Sequence, residues 1–149
     1  MSKILKVKAR QVFDSRGNPT VEAEVYGKNN NASAICPSGA STGTFEAYEK
    51  RDTNNKKYLG KSVFSVVNLV NTKISKKLKG QNIHNQERID TLLINLDGTR
   101  QKTNLGANAM LAVSMAVKKL SAKVKKLPLY KTFSVKKNFQ LPYPLMNII

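Results

Sequence analysis

Near the start of the chain apolar and basic residues alternate. Leu5, Val7, Ala9 and Phe13 alternate with Lys6, Lys8 and Arg10, the period of a half-buried strand. The cluster Asp14-Ser15-Arg16-Gly17-Asn18-Pro19 interrupts that alternation. Val21, Ala23 and Val25 then resume it opposite Glu22 and Glu24, which predicts an antiparallel hairpin with a longer loop. After a second turn at Gly27-Lys28-Asn29-Asn30-Asn31, Ala32, Ala34 and Cys36 share a face until Pro37 ends the strand. The pattern therefore predicts three strands in a meander from about Leu5 to Cys36.

Beyond Pro37 the period lengthens from two residues to about 3.6. Val63, Val67, Val70, Ile74 and Leu78 recur at helical spacing, and Ile89, Leu92, Leu93 and Leu96 repeat it in a shorter helix. Asp97-Gly98 is expected to close the latter through a left-handed cap. A third helix is expected to begin near Asn104. Its stripe of Leu105, Ala109, Ala112, Val113, Ala116 and Leu120 is rich in small residues and suits close packing. One more short helix is expected at Leu129, Tyr130 and Phe133, before Leu141-Pro142-Tyr143-Pro144 imposes extended backbone. Strands first and helices afterwards predict an α+β domain, a small antiparallel sheet covered on one face by a helical layer whose core includes Val67, Val70, Leu92, Leu93, Ala112 and Val113.

Length and composition narrow the class. The 149 residues suit one domain, and no apolar run approaches the roughly 20 residues that span a bilayer, so a soluble cytoplasmic protein without membrane contact is expected. The single Cys36 has no internal disulfide partner and reads as a small buried residue. A formal net charge of +17 points towards anionic partners. Its arrangement does not, because the lysines are scattered through almost every segment and there is no Trp and no aromatic-interleaved motif. A solvated basic surface is the reading, with nucleic acid not an expected partner.

Three segments carry chemistry or its scaffolding. In Asp14-Ser15-Arg16-Gly17-Asn18-Pro19, Asp14 and Ser15 can bond nearby backbone amides while Gly17 and Pro19 fix a tight connection. Pro37-Ser38-Gly39-Ala40-Ser41-Thr42-Gly43, with Glu46-Ala47 after it, combines unobstructed backbone with hydroxyl and carbonyl oxygens. Taken by itself it is a strand-to-helix connection. It also has what a moving lid and a hard Mg²⁺ ion require. Glu46 is expected at the start of the following helix, as a capping or dipole partner. Leu96-Asp97-Gly98-Thr99, followed by Leu105-Gly106-Ala107-Asn108-Ala109, has no group poised for catalysis and reads as structural support. The only histidine, His84, sits among Asn82, Asn85 and Gln86 and reads as an exposed loop residue.

In order and spacing these segments resemble the N-terminal domain of the enolase family, the glycolytic phosphopyruvate hydratases. The likeness extends to Tyr58-Leu59-Gly60-Lys61, Pro128-Leu129-Tyr130 and Leu145-Met146-Asn147. It implies a capping domain over residues 1–140, with 141–149 starting the connection to a C-terminal α/β barrel that this chain does not include. It implies reversible, Mg²⁺-dependent dehydration of 2-phosphoglycerate to phosphoenolpyruvate by a carbon–oxygen lyase. The loop of Ser38, Gly39, Ala40, Ser41, Thr42 and Gly43 would close over substrate, with Ser41 a ligand of the second magnesium. Arg10, Arg16 and Glu22 would reach the neighbouring subunit of a homodimer. The catalytic base and acid are expected beyond Ile149, so the chain alone is expected to be inactive. The alternative is a basic binding module that reuses the capping fold.

Overall fold

In a computed structural model, which describes residues 2–39, 43–54, 56–133, 139–140 and 142–146, the alternating segments form the expected meander. Strands β1 (Lys6–Phe13), β2 (Pro19–Tyr26) and β3 (Asn31–Cys36) lie in the order β1-β2-β3, antiparallel throughout. Ala23 stands opposite Ala9 on one side and Ala34 on the other. These small residues and the buried Val7, Val21 and Val25 form the face that meets the helices.

The helical run begins with α1 (Phe64–Leu69), widens into a π turn at Val70–Ile74, and ends as α2 (Ser75–Leu78). α3 (Gln86–Asp97) and α4 (Ala107–Val124) follow, then a 3₁₀ turn at Leu129–Thr132. α4 packs across β2 and β3, and the α1–α2 run packs along β1. Val70, Leu92, Leu93, Ala112 and Val113 are buried as expected. Val67 is not: it lies half-buried at the edge of the core, and Val66 is fully buried in its stead. The wider turn carries more residues per turn, so Val66, Val70, Ile74 and Leu78 hold one face at a spacing of four.

The strand ends differ from the simple alternation. Leu5 and Phe13 are about half exposed, at 51% and 53%, and Ile4 takes the buried place. The chain leaves β1 geometry before Lys6, and Ile4 instead bonds the turn after α2, its N–H donating to Gln81 C=O and its C=O accepting from Gly80 N–H. Phe13 packs edge-on against Tyr58, with ring centroids 5.5 Å apart.

Both outer edges of the sheet are partly capped by helix side chains. Along β1, Ser75 Oγ accepts from Val7 N–H, and the Asn71 amide both accepts from and donates to the Ala9 backbone. Along β3, Lys119 and Lys123 donate to Ser33 C=O and Asn31 C=O. Each pair is spaced i, i+4 on its helix, one turn apart, which matches the two-residue repeat of outward backbone groups on an antiparallel strand.

The junction from α3 to α4 explains why α4 starts at Ala107 and not near Asn104. Gly98 caps α3 at φ 72°, as the sequence predicts. Asp97 is buried, and its carboxylate accepts from Leu105 N–H at 2.7 Å, Thr99 N–H at 3.0 Å and the Thr99 hydroxyl. Leu105 N–H is therefore engaged by Asp97. Gly106 turns the chain at φ 92°, where a Cβ would lie 2.5 Å from Asn108 Oδ1 and 2.7 Å from Lys50 Cβ. These contacts tie the segment between α3 and α4 into the fold.

Candidate functional site

The hairpin loop organises itself around one carboxylate. Asp14 Oδ1 accepts from Arg16 N–H and Asn18 N–H, each at 2.9 Å, and Gly17 completes the turn at φ 75°. The Asn18 bond holds the Asp14 carboxyl below its ordinary range, against the opposing effect of burial, with Arg16 and Arg51 adding to it. This geometry sends the Arg16 side chain to the chain beyond β3. Its Nη2 donates to Ser38 C=O at 2.7 Å and lies 3.4 Å from Gly39 C=O.

Ser38 is held from a second side. Its hydroxyl donates to Glu49 Oε2 at 2.6 Å, and Glu49 Oε1 pairs with Arg51 Nη2 at 2.7 Å. Arg51 Nη1 donates to Pro19 C=O and Lys61 C=O, while Lys61 Nζ returns to Asn18 Oδ1 at 3.0 Å. A ring of polar contacts thus joins the hairpin loop, the Pro37 segment and the Tyr58–Lys61 segment.

Past Gly43 the chain is tied to α4. Tyr48 N–H donates to Gln101 C=O and Tyr48 C=O accepts from Ala107 N–H, while the buried Asn108 amide bonds both Lys50 N–H and Lys50 C=O. Asp52 then caps α1 from a distance, accepting from Phe64 N–H at 2.7 Å, Ser65 N–H and the hydroxyls of Ser62 and Ser65. Burial pushes the Asp52 carboxyl up, but the bonds from Ser65, Ser62 and Phe64 outweigh it and leave it lowered.

Glu46 does not begin a helix. It stands exposed in a turn, its N–H donating to Gly43 C=O, and the next α-helix starts only at Phe64. The stretch between is engaged instead through Lys50 by Asn108, and through Asp52 by Ser62 and Phe64 N–H. Beside it, a cleft of about 650 Å³ is lined by Thr44–Ala47 and by Thr99, Arg100, Gln101 and Thr103, with Glu46 and Arg100 its ionisable residues.

Of the loop residues singled out in the sequence, Ser38, Gly39 and Gly43 are described, and Ala40, Ser41 and Thr42 lie outside the described residues. Arg10 and Glu22 come together on the open sheet face, Nε to Oε2 2.5 Å apart, with the Arg10 side chain 62% exposed. Arg16 is elsewhere, turned to Ser38. His84 is half-buried and not the exposed residue expected, because its Nδ1 bonds Ser121 Oγ on α4 at 2.9 Å. Cys36 is also half-buried, and burial followed by the nearby Glu49 charge raises its thiol pKa.

Glu49, Arg51, Asp52 and Asn108 carry this arrangement and are not among the residues the motifs single out for chemistry. A signal for three of them is present: the chain has only nine acidic residues, and Glu49-Lys50-Arg51-Asp52 places two of them within four positions around an arginine.

The family model for the enolase N-terminal domain matches residues 4–133. The chain belongs to the enolase N-terminal domain family. It is 83% identical over all 149 residues to the enolase of Pelagibacter ubique, 54% identical over 147 residues to that of Methanococcus vannielii, and 51% identical over 147 residues to that of Methanosarcina mazei. It spans about a third of these relatives, 36% of the first and 34% of the other two. The α+β meander with its helical cover is the architecture that the resemblance to enolases implies.

Among the described residues no group of three or more His, Cys, Asp or Glu could hold a metal ion. Ser38 is a donor to Glu49, and its carbonyl is taken by Arg16. The described residues do not form a Mg²⁺ site by themselves, since that ion needs carboxylates or phosphates beside neutral oxygens. Among those residues, too, no helix is long and apolar enough to cross a membrane. Several lysines serve the fold: besides Lys119 and Lys123, Lys50 donates to Thr103 C=O, Lys102 to Thr99 C=O and Lys118 to Thr132 C=O.

Proposed function

We propose that this chain is the capping domain of a cytoplasmic enolase, over residues 1–140 with 141–149 leading on. In this reading its Ser38–Gly43 loop helps complete a site for reversible dehydration of 2-phosphoglycerate to phosphoenolpyruvate. The observation that carries the reading is 83% identity over the whole chain to an enolase. The base that removes the proton beside the substrate carboxylate, and the acid that helps expel the hydroxyl, come from the two-thirds of the relatives' length that this chain does not span.

Within this chain, Ser41 is the residue to supply an oxygen to a magnesium ion, and the loop around it excludes water from bound substrate. When bound, the ion neutralises the charge that develops on the carboxylate oxygens. Its carboxylate ligands belong to the remaining length. Arg10 and Glu22 face outward from the sheet, which supports reading them as contacts with a second subunit of a homodimer.

The test is Ser41→Ala in the complete enolase chain. Loss of one metal-bound oxygen lowers turnover at least about tenfold and raises the magnesium requirement, with the thermal midpoint unchanged. Turnover and magnesium dependence equal to those of the parent enzyme would remove the loop from the catalytic site.

A further inference from the structure

We infer that Arg16 and Glu49 are positioning residues that clamp Ser38 from two sides and set the direction in which the Ser38–Gly43 loop leaves β3. The inference deepens the reading of that loop as part of the enolase site, and it reassigns Arg16 from a contact with a second subunit to a contact within its own chain. Ser38 is the last residue before Gly39, where a missing Cβ would otherwise let the backbone turn freely. Arg16 holds its main chain, through the carbonyl at 2.7 Å, and Glu49 holds its side chain, through the hydroxyl at 2.6 Å. Two points of attachment on one residue fix orientation as well as place.

Neither clamp residue is loose. Arg16 stands beside the buried Asp14 carboxylate, 3.8 Å from Oδ2, in a loop that Asp14 itself orders through two backbone amides. Glu49 is braced by Arg51, whose second nitrogen reaches Pro19 C=O at the start of β2 and Lys61 C=O before α1. The loop's stem is therefore tied to both ends of the β1–β2 connection. The bonds are charge-assisted, which makes them shorter and stronger than neutral ones. A site whose supporting residues are locked in this way keeps its geometry without spending substrate binding on ordering it.

An interface role for Arg16 fits less well. Its Nη2 is already committed to Ser38, whereas Arg10 on the open sheet face has the more exposed side chain, 62% against 46%.

The experiment measures ¹⁵N order parameters of Gly39 in this chain and in its Arg16→Ala, Glu49→Ala and Ser38→Ala variants, with Leu93 and Ala112 amides as the check on the fold. Gly39 is expected near about 0.85 in the parent and below about 0.6 in each variant, while the core amides stay unchanged. Ser38→Ala removes one hydroxyl at a half-buried position and reads the same clamp if either charge substitution unfolds the chain. A Gly39 already as mobile in the parent, or unmoved in the folded variants, overturns the inference. Sedimentation of Arg16→Ala in the complete enolase separates the two roles of Arg16: dissociation of the oligomer with Gly39 still ordered assigns it to the interface and overturns the clamp. Failure of the functional reading looks different, because parental turnover in Ser41→Ala beside a loosened Gly39 sinks that reading and leaves the clamp standing.

Discussion

The ammonium of Lys119 donates to the carbonyl of Ser33 at 3.2 Å, closing a contact between residues 86 positions apart. Lys123 does the same to Asn31 C=O at 3.1 Å, so one helix face blocks two outward carbonyls of the edge strand β3. Edge strands with free backbone groups are templates for unwanted pairing, and lysine is a common guard against it. The double variant Lys119→Ala, Lys123→Ala is expected to associate with rising concentration in light scattering and to lose about 1–2 kcal/mol of stability. Lys→Arg at both positions keeps a donor and should stay as dispersed as the parent. An alanine variant that remains monomeric under the same conditions would show that other features protect this edge.

Asp97 supports the α3–α4 junction through Leu105 N–H and two Thr99 donors. Asp97→Ala leaves a buried amide without an acceptor, and a loss of about 2–3 kcal/mol in denaturant unfolding is expected. Asp97→Asn retains one acceptor oxygen and should recover part of it.

Acid should weaken the fold through the same residue. Burial raises the Asp97 carboxyl, but the Thr99 hydroxyl, Leu105 N–H and Thr99 N–H together bring it below its ordinary range. A carboxylate with a depressed folded-state pKa contributes stability that is present above its unfolded value of about 3.9 and is lost as pH falls through the folded one. Asp52 is shifted in the same direction. Unfolding free energy measured from pH 6 downward should therefore fall in the parent below about pH 4, and less steeply in Asp97→Asn.

His84 titrates in a higher window, and there the fold favours the neutral form over the charged one. Burial first, and Lys125 second, lower its pKa from the ordinary 6.5. Between its folded value and about 6.5 the unfolded chain binds the extra proton, so stability declines as pH drops through that window. His84→Gln removes this titration, and its stability profile from pH 7 to 5 should be flatter than that of the parent.

Gly106 is required by both its backbone and its surroundings. At φ 92°, with Asn108 Oδ1 and Lys50 Cβ within 2.7 Å of the place an alanine methyl would take, Gly106→Ala is expected to cost more than about 1 kcal/mol. Gly80→Ala, at φ 85° with nothing within 4 Å of the added carbon, isolates the backbone contribution. A smaller loss at Gly106 than at Gly80 would mean that the crowding is readily relieved.

Period alone located all three strands, α3 and the body of α4, because alternation by two and recurrence by 3.6 follow from which side of a strand or helix each residue faces. The Gly98 cap was equally legible, since a left-handed residue after an apolar helix is a local requirement. Val66 in place of Val67 was not, because the π turn that sets the register forms within a packed helix against β1. Nor was the exposure of Phe13, which depends on how Tyr58 meets it across the fold. The resemblance to enolases marked the Ser38–Gly43 loop, whose small residues and hydroxyls by themselves read as a connection between a strand and a helix. The motifs could not say that Arg16 turns inward to Ser38, or that Glu49, Arg51 and Asn108 hold the loop's two stems. Apart from the local Glu49–Arg51 pair, those contacts join residues 22, 11 and 58 positions apart, and only the close approach of the hairpin end, the post-β3 segment and α4 brings their charges and amides within hydrogen-bonding distance.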